Sequence, residues 1–346
     1  MKVSRPILSI CIPTFNRASL LRSALWSLVP QVHQVGDQVE VIVSDNCSTD
    51  ETSEVVRWAQ QYVSIRYHRN STNVGSAANY FILTDELARG EFGWLLGDDD
   101  LIRENAVTCV LDAIQTNPTI DYIFVNHSYE LITEREKKGD LVTGADFPKL
   151  GDLLCYETQN HVVLRWEEIV RFSRTPALFT SIVSSVFRLS RWKVESAKIK
   201  LDRDDSFRSL ENTFPHLCTV ARMMIGKPAV YLGYPYVILF VGGQNWFGDW
   251  PTMLFVHVLK IADLFAELAA DKQLVACYRN TLFEHSAWQF RQLIFYPTPL
   301  SRDIFSLRKL VARYWNMPTF RKMCWVAIKL QLSESWIGSL ERAILK

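Results

Sequence analysis

The sequence predicts an α/β fold with a doubly wound, mostly parallel sheet flanked by helices, followed by a C-terminal helical region. In the first 110 residues, short apolar runs alternate with amphipathic stretches, and a polar loop follows each run. The runs are apolar at nearly every position, which is typical of parallel strands covered on both faces. Because strands and helices alternate, ligands are expected beyond the carboxyl ends of the strands.

The predicted elements follow one another in a regular order. The first strand covers residues 7–12, and Pro13 ends it before a polar loop. Apolar residues at helical spacing then predict a helix that includes Leu21 and Leu28. Later strands are predicted at 39–43, 64–68, 92–96 and 121–126, with helices around Val55 and from about 76 to 88.

Composition and charge narrow the class of protein. The chain has 346 residues, 48% hydrophobic and 22% charged, as expected for a globular protein with one large core and a second subdomain. Its formal net charge of +1 argues against a nucleic-acid binder. Seven single cysteines without a Cys-x-x-Cys pair predict neither disulfides nor a zinc site, which fits the cytoplasm. No apolar tract reaches the roughly 20 residues that a membrane-spanning helix needs.

Three consecutive carboxylates, Asp98–Asp100, end the fourth predicted strand. Adjacent negative charges repel one another, so a triplet at the end of a core strand predicts a bound dication. Mg²⁺ and Mn²⁺ prefer oxygen ligands and leave positions for substrate phosphates, so the triplet predicts a metal site for a phosphorylated substrate. The alternative is a solvated acidic loop or the first turn of the next helix. The triplet alone favours neither interpretation.

The parallel sheet brings other strand-end loops to the same edge. Asp45, Asn73 and the acidic triplet are expected to share one cleft. Asp45 is placed to accept hydrogen bonds from a nucleobase N–H or a ribose hydroxyl, or else to cap the following helix. Asn73 and Gly75 also fit a plain turn, in which Gly75 serves only to allow a positive φ.

Four strand-end motifs resemble those of the family 2 glycosyltransferases of the GT-A fold. Residues 10–17, Ile-Cys-Ile-Pro-Thr-Phe-Asn-Arg, are similar to the opening strand and loop, and residues 43–50 to the second-strand motif. Asn73-Val74-Gly75, with Asn79 and Gly90 beyond it, matches the third stretch, and residues 95–100 resemble the Asp-x-Asp region. The resemblance covers residues 7 to about 110. Four motifs in order are more specific than any one of them.

The resemblance implies a metal-dependent enzyme that transfers a sugar from a nucleotide-diphosphate donor to an acceptor hydroxyl with inversion. A saccharide or polyprenyl-linked acceptor and a role in bacterial O-antigen or other surface-polysaccharide assembly are implied in the same way. The family commonly has aspartate where this chain has Gly97, so the working pair of carboxylates stays open. The implied donor-binding residues are Pro13, Thr14, Asn16, Arg17, Asp45, Asn73, Gly75, Asn79, Asp98 and Asp99, with Mg²⁺ or Mn²⁺ on Asp98 and Asp100.

Inverting transfer also needs a base for the acceptor hydroxyl. Residues 210–216 resemble the acid-before-helix motif of the family, with Asn212 in place of its usual aspartate. Glu211 is the first choice of base. Asp205 and His216 are competitors, although a lone histidine is more often structural than catalytic.

The chain is expected to divide at residue 245. Residues 1–245 form the predicted catalytic domain, with a nucleotide-sugar half (1–110) and an acceptor half (111–245), and 246–346 form a helical region. From residue 300 onward, nine Lys or Arg stand against three acids, and Trp315, Phe320, Trp325 and Trp336 lie among them. This pattern predicts peripheral contact with an anionic membrane, at the cytoplasmic face of the inner membrane, or else a helical cap with a solvated basic face.

Two rival functions use similar residues. A non-catalytic nucleotide-sugar binder would keep Asp45 and the triplet but lack a base. A phosphatase of the haloacid dehalogenase type also places Asp-x-Asp after a strand, but on the first strand of its fold, whereas these acids follow the fourth. A dinucleotide oxidoreductase would need Gly-x-Gly-x-x-Gly after the first strand, which residues 13–17 lack.

Overall fold

The structure, a computed structural model, describes residues 5–131, 151–173, 175, 177–202, 207–241 and 247–344, with side chains to residue 333. Its strands form one ten-stranded sheet. They are β1 (Leu8–Thr14), β2 (Val39–Asp45), β3 (Ile65–Arg69), β4 (Phe92–Leu95), β5 (Leu101–Ile102), β6 (Tyr122–Leu131), β7 (Asp152–Leu153), β8 (His161–Val163), β9 (Ser185–Arg188) and β10 (Ala229–Val241).

The helices flank this sheet and make up the described C-terminal part. Short 3₁₀ and π segments join some of them, including a π turn at Ile82–Leu87. The α-helices are α1 (Ala18–Val35), α2 (Thr52–Ala59), α3 (Ser76–Phe81), α4 (Ala106–Thr116), α5 (Leu189–Ser196), α6 (Leu210–Thr213), α7 (Pro215–Met224), α8 (Trp250–Met253), α9 (Leu259–Glu267), α10 (Lys272–His285), α11 (Ala287–Phe295), α12 (Pro299–Ile304), α13 (Leu307–Tyr314) and α14 (Pro318–Ile344).

The sheet has the spatial order β3-β2-β1-β4-β9-β6-β10-β5. The pairs β3–β2, β2–β1, β1–β4 and β6–β10 are parallel, and β9 runs antiparallel between β4 and β6. Strands β1, β2, β3, β4, β6 and β10 therefore share one direction. The predicted mostly parallel sheet with flanking helices is confirmed.

Two apolar cores cover the two faces of the sheet. One contains buried residues of β1–β4 and helices α1, α2 and α4. The other joins the opposite face to the C-terminal helices. Trp166 is fully buried there, with ring centroids 6.0 Å from Tyr122 of β6 and 5.5 Å from Phe265 of α9. The C-terminal helices are thus part of the same hydrophobic core as the sheet, and the division at residue 245 stays a prediction.

Some predicted details differ from the structure. The single helix predicted over about 76–88 is α3 followed by the π turn, where Trp192 Nε1 donates to Thr84 Oγ1 and Asp85 Oδ1 at 2.9 Å. Phe320 is fully buried, 5.2 Å from the ring centroid of Phe283. Phe320, which stands among basic residues in the sequence, is therefore a core residue that anchors α14. Across the described ranges, no helix combines the length and apolar character needed to cross a bilayer.

Candidate active site

The loops that follow β1 and β2 are tied together at the carboxyl edge of the sheet. Thr14 and Asp45 are the last register pair of these two strands. Asn16 has a φ of 53°, a left-handed conformation that asparagine tolerates better than most residues. Its side-chain oxygen accepts a hydrogen bond from the Thr49 backbone N–H at 2.7 Å. This contact fixes the turn that carries Arg17 towards β4.

Arg17 and Thr14 hold the acidic triplet that follows β4. Arg17 Nη1 donates to Asp98 Oδ1 and Nη2 to Asp99 Oδ2, both at 2.8 Å. Thr14 Oγ1 donates to Asp98 Oδ2 at 2.8 Å. Asp98 and Asp100 are only 5% and 7% exposed. The triplet is therefore a buried, organised cluster at the edge where Thr14 meets β2, and not a solvated loop.

The triplet also does not begin a helix. The next helix, α4, starts at Ala106, and β5 separates it from the triplet. Strand β5 pairs antiparallel with β10, which draws the chain after Asp100 back into the sheet. The alternative prediction, a first helical turn, was wrong because residues after the triplet form this short strand.

The electrostatics of the triplet favour additional positive charge. Burial raises the pKa of Asp98 to about 6, and the Arg17 guanidinium partly offsets this effect. Burial, followed by repulsion from Asp99 and Asp98, raises the pKa of Asp100 well above its usual value. Although burial opposes the charge of Arg17, Asp98 and Asp99 raise its pKa. One guanidinium faces three carboxylates, so a cationic ligand would relieve their repulsion.

The residues present fit a divalent cation shared with a substrate. Mg²⁺ and Mn²⁺ favour oxygen ligands, and Mg²⁺ is commonly bound by one or two carboxylates together with substrate phosphates. A Cβ atom at position 97 would collide with Asp100 Oδ2 and stand 3.0 Å from Asp99 Oδ1. Because Gly97 has no side chain, it leaves room for the Asp100 carboxylate. Within the described residues, no group of three or more His, Cys, Asp or Glu is arranged to hold a metal by itself.

Asp45 lies almost fully buried at the end of β2. Its Oδ1 accepts from the Ser48 backbone N–H at 2.7 Å, and its Oδ2 accepts from the Tyr67 hydroxyl at 2.5 Å. Arg69 Nε lies 3.3 Å from the same Oδ2, and the Arg69 side chain is 49% exposed. Helix α2 begins seven positions further on, at Thr52, so the alternative role of Asp45 as the cap of that helix was wrong.

Asparagine side chains brace the neighbouring loops. Asn79 is 2% exposed; its Oδ1 accepts from Ser44 Oγ at 2.6 Å, and its Nδ2 donates to the Ser44 carbonyl at 3.0 Å. Asn73 Oδ1 accepts from Asn46 Nδ2 at 2.8 Å and from the Gly75 N–H at 2.9 Å, and Gly75 has a φ of 87°. Asn79 thus stabilises the end of β2 through both polar atoms of its side chain. The other predicted donor-binding residues, Pro13, Thr14, Asn16, Arg17, Asp45, Asn73, Gly75, Asp98 and Asp99, lie at strand ends or in the loops that follow them.

Three residues at this edge were missed by sequence reasoning. Tyr80 lies against the triplet, and burial, followed by the charges of Asp98 and Asp99, raises its pKa to about 12. Tyr67 and Arg69 both contact Asp45 from β3. Their two-residue spacing at the end of a predicted strand was a usable signal, because alternate residues of a strand share a face. Tyr80 carried no such signal.

The predicted bases fall within residues 205–216, in the predicted acceptor half. Glu211 is half-buried in the first turn of α6. His216 is 5% exposed, its Nε2 lies 3.1 Å from the Thr180 carbonyl oxygen, and burial lowers its pKa to about 4. A ring nitrogen that faces a carbonyl oxygen is the N–H donor, so Nε2 of His216 is not free to accept a proton from an acceptor hydroxyl. Asp205 lies outside the described residues. Glu211 therefore stays the first choice.

Two solved structures are similar to this chain in fold. S. aureus TarS in complex with UDP-GlcNAc matches with a TM-score of 0.54 and 16% identity, over 91% of this chain and 90% of that chain. The mannosyltransferase PcManGT of Pyrobaculum calidifontis, in complex with GDP-Man and Mn²⁺, matches with a TM-score of 0.52 and 14% identity, over 95% and 88%. At these identities the likeness shows the fold. The predicted GT-A architecture is confirmed.

Sequence relatives then give the family. The family model "Glycosyl transferase family 2" matches residues 9–182. The abequosyltransferase RfbV of Salmonella typhimurium is 37% identical over 301 residues, which cover 83% of each protein. The chain therefore belongs to glycosyl transferase family 2. The predicted family and enzyme class are confirmed, and the phosphatase alternative was wrong.

Proposed function

We propose that this glycosyltransferase uses a nucleotide-diphosphate sugar and a divalent metal, Mg²⁺ or Mn²⁺, and transfers the sugar to an acceptor hydroxyl with inversion. The observation that carries the proposal is the buried Asp98–Asp100 cluster, held by Arg17 and Thr14 beside the end of β2. An excess of carboxylates at the carboxyl edge of a parallel sheet suits a cation together with a diphosphate. Asp45, with Tyr67 and Arg69 around it, lies on the nucleoside side.

The metal would be held by Asp98 and Asp100. When bound, it would offset the charge that develops on the departing diphosphate. Thr14 and Arg17 orient the Asp98 carboxylate, because they occupy its two oxygens with directed hydrogen bonds. The Arg17 guanidinium, with a side chain 27% exposed, is also within reach of a diphosphate at this edge. Structures of the same fold have been solved with UDP-GlcNAc and with GDP-Man and Mn²⁺, which supports a nucleotide-sugar donor and a divalent metal.

The transferred sugar is proposed to be abequose or a related sugar, in the assembly of an O-antigen or similar surface polysaccharide. The support is the 37% identity to an abequosyltransferase over 83% of both proteins. The acceptor would then be a saccharide, free or polyprenyl-linked. The site would meet it at the cytoplasmic face of the membrane, and the seven free cysteines of the chain fit a reducing compartment.

Glu211 is proposed as the base. As the acceptor oxygen forms its bond to the anomeric carbon, the carboxylate takes the hydroxyl proton, and the bond from that carbon to the diphosphate breaks. The nucleoside diphosphate leaves with the electron pair, so one displacement inverts the anomeric centre. Asn212 helps to fix this segment, because its Oδ1 accepts from the Asp202 backbone N–H at 3.1 Å.

A thermal-shift panel of nucleotide diphosphates and their sugars, with and without Mn²⁺, tests the donor. Binding to the native state raises its melting temperature, so one nucleotide should stand out, and only with metal present. Glu211→Gln should then keep donor binding and lose transfer. Glu195→Gln is the matched control, since Glu195 of α5 pairs with Lys198 in the turn that follows the helix. Transfer retained by Glu211→Gln would reassign the base to Asp205 or His216, and no metal-dependent shift for any nucleotide would refute the donor proposal.

A further inference from the structure

Helix α14 is apolar on two opposite sides. Phe320, Met323 and Ala327 are at most 2% exposed and pack towards α10 and α11. Trp325, Ile328 and Leu332 point the other way and are 59%, 44% and 59% exposed. Spacings of three and four residues place each set on one stripe of the helix. A surface helix ordinarily needs one apolar stripe, so the outer stripe is available to a partner.

Cations flank the outer stripe. Lys329 Nζ lies 5.1 Å from the ring centroid of Trp325, and Arg321 and Lys322 are exposed one turn earlier. Residues 304–333 contain six Lys or Arg and neither Asp nor Glu. We call this surface the α14 outer face; it consists of Arg321, Lys322, Trp325, Ile328, Lys329 and Leu332.

Two exposed aromatic residues border the α14 outer face. The Trp315 carbonyl accepts from Arg321 Nη1 at 3.2 Å, and Trp315 is 51% exposed. At the other end, Arg291 Nε donates to Gln331 Oε1 at 3.0 Å and its guanidinium lies 5.3 Å from the ring centroid of Tyr296, which is 52% exposed. Tryptophan and tyrosine are the side chains that favour the boundary between lipid headgroups and acyl chains.

We infer that the α14 outer face docks on the surface of an anionic lipid bilayer. Apolar side chains on the stripe would enter the headgroup region, and the flanking cations would contact anionic headgroups. A second copy of the chain fits less well, because a symmetric pair would bring like charges together with no acid on this segment to offset them. The inference rests on the helix surface and is independent of the donor and base assignments.

The experiment is co-sedimentation of the full-length protein with phosphatidylglycerol–phosphatidylcholine vesicles and with pure phosphatidylcholine vesicles. The wild type should bind the anionic vesicles far better. Trp325→Ser with Ile328→Ser should weaken this binding at least about tenfold. Replacing Arg321, Lys322 and Lys329 by Gln should weaken it about 100-fold, since each cation near an anionic surface contributes roughly fivefold.

The controls replace similarly exposed side chains elsewhere in the chain. Tyr62→Ser and Val194→Ser change side chains of residues that are 55% and 58% exposed, far from α14 in sequence, and should leave vesicle binding unchanged. The thermal midpoint should stay the same in all variants, because the altered side chains are exposed. The inference would be overturned if the wild type bound both vesicle types equally or bound neither. It would also be overturned if the variants of the α14 outer face bound as well as the wild type. A dimer that dissociates in the Trp325→Ser, Ile328→Ser variant would also overturn it, in favour of self-association.

Discussion

The two halves of the sheet bury polar groups in different ways. The edge formed by β1–β4 concentrates charge, with Asp98 and Asp99 bound by Arg17. Around β6, the second half buries neutral groups: His127 Nδ1 lies 2.9 Å from Ser184 Oγ, and burial lowers the pKa of His127 to about 3. A cluster of buried charges is stable only with compensating charge, whereas buried neutral groups need only hydrogen-bond partners. This difference is the reason for proposing a charged ligand at the edge formed by β1–β4.

Substitution of Asp100 by Asn should have the largest effect on the charged edge. Loss of one proposed metal ligand should weaken metal-dependent donor binding by more than about 100-fold, because even outer-shell changes cost 10–100-fold. The fold should gain stability at pH 8 without metal, since the variant removes a buried, repelled carboxylate. Calorimetry and thermal unfolding measure the two quantities. Donor affinity equal to wild type would show that the triplet is structural, like the second half.

Removing Arg17 should be the next largest change. Arg17→Gln leaves Asp98 and Asp99 buried without their cation, which should cost about 3 kcal/mol of unfolding free energy at pH 8. Added Mn²⁺ should restore part of that stability if the edge accepts a metal. Arg57→Gln is the control, because its ion pair with Glu54 joins side chains that are 69% and 66% exposed and should contribute little. Equal losses for both variants in urea unfolding would contradict the claim that the buried carboxylates depend on Arg17.

The strand-end loops of the first half could be predicted because their signals are local. An apolar run that ends in Pro13-Thr14 or in Asp98-Asp99 shows both the strand and its polar end within a few residues. The contacts between these loops could not be predicted in detail. Arg17 reaches Asp98 and Asp99 across 81 and 82 positions of sequence, and that distance is closed only by the pairing of β1 with β4.

The second half has weaker local signals. Strand β9 lies antiparallel between β4 and β6, which no run of residues 185–188 indicates by itself. Beyond the sheet, Phe320 stands among basic residues in the sequence, but the fold buries it. Burial of this kind depends on which elements pack together, and hydrophobic pattern alone does not specify it.

The two buried neutral histidines should make the protein less stable in acid. His127 and His216 have pKa values lowered to about 3 and about 4, so below pH 6.5 the unfolded chain binds protons that the native state excludes. Stability therefore falls as pH falls from 6.5, at about 1.4 kcal/mol per pH unit for each histidine between its two pKa values. His127→Gln should reduce that slope by about 1.4 kcal/mol per unit between pH 5.5 and 4. Urea unfolding over this range measures it, and an unchanged slope would mean that His127 titrates normally.

The smallest predicted effects compare a carboxylate that caps α1 at the charged edge with one that caps α10 in the C-terminal helices. Asp50 Oδ2 accepts from the first N–H of α1, at Ala18, at 2.9 Å, and Asp271 Oδ1 accepts from Gln273 N at 2.8 Å in α10. Replacing either by Ala should cost about 1 kcal/mol of stability. Only Asp50→Ala should also weaken donor binding, because Asp50 fixes the helix that follows Arg17 at the charged edge. Equal donor affinities in the two variants would show that the edge keeps its geometry without this cap, and that its order comes from the Arg17 and Thr14 contacts alone.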